Sequence, residues 1–134
     1  MITGGTFSLG DFSIGAAATQ VGDVIDDLGG ATAITLSARL GYGSGGTSCY
    51  ALVETSLDQG VTWVQIARFD FTTSGAQKVL TVSGLTSRLS AASAGSLSAD
   101  TALDGTLGDR LRATVVSTGT YAGSTVLSVR ANVR

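Results

Sequence analysis

The chain has no histidine, no proline and a single cysteine, Cys49, in 134 residues. Each absence removes chemistry. Without an imidazole there is no Ser-His-Asp or Cys-His nucleophile, and the commonest zinc ligand is missing. With one thiol, an intrachain disulfide and a cysteine-based metal site are both excluded. Cys49 sits in the apolar run CYALV, where a packed core thiol is expected over an intermolecular bridge. Charge is scarce too: charged residues make up 13% of the chain and the formal net charge is -2. That leaves no basic footprint for binding nucleic acid directly. No apolar run approaches the roughly 20 residues that span a bilayer. The opening MITGGTFSLGDFSIG lacks both the basic and the apolar regions of a signal peptide. A soluble protein made in the cytoplasm, without membrane contact, is the expectation.

What is present is small and β-forming. Hydrophobic residues reach 43%, and 19 glycines accompany many Ala, Ser, Thr and Val. That content favours an ordered chain over a disordered one. β-branched residues favour strands and glycine favours turns, so the composition predicts an all-β fold. The length suits one domain. Strict alternation marks ITLSARL at 34–40, where Ile34, Leu36, Ala38 and Leu40 share one face, and TVLSVRANV at 125–133, where Leu127, Val129, Ala131 and Val133 do. CYALVETS at 49–56, VTWVQIARFDF at 61–71, QKVLTVS at 77–83 and LRATVVST at 111–118 complete the clear strands. DFSIG at 11–15 is a weaker strand candidate, and VGDVIDDLGG at 21–30 reads as a short strand or a bent lead-in. GYGSGG at 41–46 and GTYAG at 119–123 read as hairpin loops. The predicted fold is a small antiparallel β-sandwich or jelly-roll-like barrel over 21–134. Residues 1–20 are expected to form an N-terminal arm, and residues 84–110 a connection longer than the roughly 12 to 15 residues usual for a structureless loop.

Residues 56–63, SLDQGVTW, resemble the Asp-box, a hairpin signature of sialidases and other sugar-active propellers. The resemblance covers eight residues and brings no catalytic position with it. Turn physics accounts for the motif: Asp58 can accept backbone N–H bonds, Gly60 tolerates positive φ, Ser56 and Thr62 can bond across the turn, and Trp63 packs beside it. A glycosidase needs two carboxyl groups across a cleft, and Glu54 with Asp58 or Asp70 are the residues to nominate. Solvated-face and turn roles are expected for them instead. Asp100, Asp104 and Asp109 supply oxygen ligands of a kind that suits calcium, yet their spacing matches no EF-hand loop, and turn formation is expected. No GxxxxGK[ST] or GxGxxG opens a helix, so no nucleotide site and no cofactor are predicted.

A light β-domain with long small-residue segments, the ETSLDQGVTW hairpin and the closing GDRLRATVVSTGTYAGSTVLSVRANV together resemble small virion proteins of tailed bacteriophages, in particular capsid decoration or cement proteins. The resemblance covers about half of the chain and implies a non-enzymatic role on the capsid surface. There the protein would bridge and stabilise the major capsid protein lattice beside neighbouring copies of itself, as a homo-oligomer. Tail and head-to-tail connector proteins of similar build remain an alternative. Partner contact is then assigned to Phe7, Leu9, Phe12 and Ile14 in the arm, and to Leu85, Leu89, Leu97, Leu103 and Leu107 in the long connection. Ordinary domain packing is the competing role for each Leu. Arg88, Arg110 and Arg112 could pair with acidic capsid groups. A carbohydrate-binding or adhesion module is the other class of function. It requires at least three of Trp63, Tyr42, Tyr50 and Tyr121 to cluster on one exposed face.

Overall fold

The computed structural model describes residues 4–91 and 97–134. Residues 1–3 of the expected arm and 92–96 of the expected long connection lie outside them. Among the described residues ten strands form in chain order: β1 (Gly5–Ser13), β2 (Ala18–Val21), β3 (Ala33–Gly41), β4 (Ser44–Gly45), β5 (Ser48–Ser56), β6 (Val64–Phe71), β7 (Ala76–Ser83), β8 (Arg110–Thr118), β9 (Tyr121–Ala122) and β10 (Val126–Val133). They make two four-stranded sheets, ordered β1-β10-β3-β7 and β2-β8-β5-β6, with a two-stranded β4-β9 patch between. Every pairing is antiparallel. Of the long strands, β5 and β6 alone follow one another within a sheet; elsewhere the chain alternates between sheets, which is the double Greek-key order of a jelly roll. The two sheets stay open at their edges and do not close into a barrel.

The alternating segments face the core as expected. Ile34, Leu36 and Ala38 on β3, and Leu127, Val129 and Ala131 on β10, are all 0% exposed. Facing them across the sandwich are Ala51 and Val53 of β5, Phe69 of β6 and Leu111, Ala113 and Val115 of β8. Many of these are alanines, so the bulky Phe69 and leucines fill space that the small residues leave.

Two expectations are corrected. Residues 5–13 are not an arm: β1 is hydrogen-bonded along β10, from Gly5 opposite Val133 to Ser13 opposite Val126. Leu9, Phe12 and Ile14 are core residues, 1%, 6% and 4% exposed, and Phe7 packs half-buried against that core. The glycine-rich stretches after β3 and β8 are not hairpin loops either. Each carries the chain from one sheet to the other, and midway the two meet as β4 and β9. Their backbones approach so closely at Gly43 that a Cβ there would lie 2.2 Å from the Gly123 carbonyl oxygen, a contact that glycine alone permits.

Candidate functional site

The SLDQGVTW turn joins β5 to β6. The Ser56 hydroxyl donates to Asp58 Oδ1 at 3.0 Å and accepts the Gly60 N–H at 2.7 Å, while Thr62 donates its N–H to Asp58 Oδ1 at 2.8 Å and its hydroxyl to Oδ2. Bonds from the Thr62 hydroxyl and amide, then from Ser56, hold the Asp58 carboxyl below its ordinary range. Gly60 sits at φ 90°, which a side chain would strain. The side chains of Ser56, Asp58 and Thr62 are all bonded within the turn itself.

Trp63 leaves this turn onto the outer face of the β2-β8-β5-β6 sheet, where Arg112 stacks 4.3 Å from its ring. Arg112 also donates to Glu54 at 3.1 Å, and the Thr114 hydroxyl donates to the same carboxylate oxygen at 2.6 Å. One row along, Arg68 stacks 4.1 Å from the Tyr50 ring and grips Asp70 with both ends of its guanidinium, at 2.8 and 2.9 Å. The face is a set of cation–π pairs, each closed by a carboxylate. A sugar seeking a ring to stack on meets a guanidinium over each of these two. The remaining rings are elsewhere: Tyr121 is 3% exposed and donates to the Thr72 carbonyl, and Tyr42 meets it edge-on at 6.2 Å. Burial pushes the Tyr121 phenol well above its ordinary range. Three rings do not share one exposed face.

The connection after β7 divides into two parts with opposite roles. Its second part is fixed to the sandwich. Arg68 N–H donates to the Thr101 carbonyl at 2.9 Å and Leu103 N–H to the Ile66 carbonyl at 2.8 Å, so residues 101–103 run along the edge of β6. Asp100 accepts the Asp70 N–H at 3.0 Å and the Lys78 ammonium at 2.9 and 3.0 Å. Burial works to raise the Asp100 carboxyl, but the Asp70 amide and Lys78 outweigh it and hold it below the usual carboxylate range. Asp104 accepts the Ser83 N–H at 2.7 Å and the Thr86 hydroxyl at 3.0 Å, and these bonds lower its carboxyl likewise. The Asp109 carbonyl accepts the Leu28 N–H. The three aspartates therefore serve three separate places. Among the described residues no three His, Cys, Asp or Glu gather into a metal-binding group.

Its first part projects. Leu85 is 75% and Leu89 94% exposed, whereas Leu107 packs on the core and Leu97 and Leu103 are half-buried. Arg88 donates to the Asp104 carbonyl. The Arg110 side chain lies against Gly60, and its Nε is buried without a hydrogen-bond partner. Of the nine leucine, phenylalanine and isoleucine side chains assigned to partner contact, Leu85 and Leu89 stand free in solvent. Sequence reasoning missed Lys78, whose ammonium ties β7 to β6 and to Asp100. Its place as the one charge at an inward position of an alternating strand was the available signal. A hollow of about 250 Å³ beside it is lined by Asp70, Asp100 and Lys78 together with Phe71, Thr72 and Ser74. Both carboxylates in that hollow are already ion-paired, Asp70 to Arg68 and Asp100 to Lys78.

In comparisons with known proteins, the chain matches no family model and no curated protein.

Proposed function

We propose that the chain is a structural virion protein of a tailed bacteriophage, a capsid decoration or cement protein that binds the outer lattice of the major capsid protein and has no catalytic role. The observation that carries this reading is the division of labour just described. The carboxylates that could have formed a site close turns, anchor the connection or pair with arginine, while Leu85 and Leu89 are largely exposed on a loop. Isolated exposed leucines are common on protein surfaces, but two within five residues of one connection make a small apolar contact of the kind that orders on a partner. Repetition on a lattice turns weak contacts into firm attachment. With β1 built into the sandwich, the long connection is the one of the two expected contact segments that keeps exposed apolar side chains. The guanidinium-covered rings of Trp63 and Tyr50 weigh against a carbohydrate-binding module.

The test is cosedimentation and electron microscopy of the purified protein with heads of the tailed phage whose genome encodes it. Density at regularly spaced positions on the head is expected, and Leu85→Ser with Leu89→Ser should weaken it without changing the thermal midpoint. Density at the tail or the head-to-tail joint would replace the decoration role with a connector role. Absence of any particle association at saturating protein would overturn both.

A further inference from the structure

Four strands form the outer edges of the two main sheets: β1 and β7 in one, β2 and β6 in the other. An edge strand offers unpaired backbone donors and acceptors to any strand that meets it. Folded proteins blunt such edges by shortness, bulges, charged side chains facing outward or inward, proline or a covering segment. Three of the four are blunted here. β2 is four residues long. β1 carries a bulge between Ser8 and Gly10 and shows Asp11 on its outer face, paired to Arg130 at 2.9 Å. β6 is covered by residues 101–103.

Among the described residues, β7 has only one of these, an inward-pointing lysine whose charge is already paired. It runs for eight residues, and its register with β3 is unbroken from Ala76 to Ser83. Its outward side chains are Gln77, Val79 and Thr81, none of them charged, with Val79 58% exposed. Its single charge, Lys78, points inward but is held by Asp100 and by the Asp70 carbonyl at 2.6 Å, so a strand pairing here meets no unpaired charge from it. The direction of the free groups follows from Ser83. Its N–H goes to Asp104 and its carbonyl accepts the Gly105 N–H at 2.9 Å, so both point away from β3. Peptide direction alternates along an antiparallel ladder, so the N–H and C=O of Thr81, Val79 and Gln77 face the same open side. Among the described residues, the connection's hydrogen bonds to this side of β7 stop at Ser83. Alongside the exposed part lies a hollow of about 380 Å³ lined by Phe69, Lys78, Val79, Leu80 and Asp100.

We infer that this edge of β7 pairs with the same edge of a second copy of the chain, antiparallel and about a two-fold axis at Val79. The strand is complementary to itself in that register. Val79 meets Val79 on the axis, Gln77 meets Thr81, and each exchanges both its N–H and its C=O; no like charges are brought together on the outer face. One strand pair is small against the about 1,200 Å² of a stable interface. The dimer is therefore weak in dilute solution and fills as local concentration rises. The inference goes beyond the capsid reading and stands without it. A dimer that ignores capsids fails that reading alone, and a monomer that decorates capsids fails this inference alone.

Sedimentation velocity and amide hydrogen exchange across a concentration series test it. Wild type should pass from monomer to dimer, with the Gln77, Val79 and Thr81 amides gaining protection together. Val79→Pro removes an N–H on the open side, leaving the β3 ladder intact, and Val79→Lys adds charge without altering the backbone. Loss of the dimer in both, with an unchanged far-ultraviolet spectrum, is expected. Should Val79→Pro fail to fold, Val79→Lys decides. A wild type that stays monomeric at millimolar concentration with these amides exchanging freely, or a dimer that survives Val79→Lys, would overturn the inference.

Discussion

Replacing Leu9 by alanine separates a core strand from an arm that awaits a partner. Leu9 is 1% exposed and sits in the same core as Phe12, Ile14, Leu127 and Val129. Burying a leucine side chain is worth about 1.5–3 kcal/mol by transfer, and an unrelaxed cavity adds about 24 cal/mol per Å³. Leu9 is the bulge residue of β1, but β10 beneath it is fixed by an unbroken ladder on β3, so the space has little freedom to collapse. A loss of about 3 kcal/mol is expected, inside the Leu→Ala range of roughly 2–5 kcal/mol. Against a total stability of about 5–15 kcal/mol, that lowers the thermal midpoint by about 10 °C. The assay is urea and thermal unfolding of the isolated protein, with Leu89→Ala as control. Leu89 is 94% exposed, so its truncation should change stability by less than about 0.5 kcal/mol. If Leu9→Ala melts with wild type, residues 5–13 are not a structural strand and the reasoning from burial fails.

Acid should release the covering connection before the sandwich unfolds. Asp100 and Asp104 have folded carboxyl values below their ordinary ones, so the stability they contribute is complete above about pH 4 and drains away as pH falls below it. Hydrogen exchange should show the Asp70, Ser83 and Leu103 amides losing protection first; loss in step with the β3 and β10 amides would refute this. Cys49, 1% exposed, has its thiol pushed up by burial. It should therefore ignore a thiol reagent at neutral pH and react fully once denatured, and fast labelling of the native protein would contradict its burial.

The strands most legible in the sequence were those with unbroken alternation, β3 and β10, because a half-buried strand repeats every two residues. β1 was hidden by its bulge. Phe7 and Leu9 keep that period, Phe12 and Ile14 keep it again, but the shift between Ser8 and Gly10 puts the two pairs out of step. Read as one pattern, they look like scattered apolar residues on a tail. The sheet crossings at 41–46 and 119–123 were mistaken for hairpins because glycine marks a change of direction without saying whether the chain returns to the same sheet. The turn role of Ser56, Asp58, Gly60 and Thr62 was legible, since its bonds are local. The roles of Asp100 and Asp104 were not: their partners Asp70, Lys78 and Ser83 lie 21 to 30 residues away.

The strand that closes the first sheet follows both of its neighbours in chain order. β10 lies between β1 and β3 and holds both, so until it is made and inserted the greasy sides of two earlier strands have no seam between them. Local pieces such as the β5–β6 hairpin can form at once, but completion waits on contacts between residues as distant in sequence as Gly5 and Val133, which slows folding and lengthens the interval in which nascent molecules stick to one another. Production at low temperature, or with a chaperone at hand, should raise the yield of well-folded material.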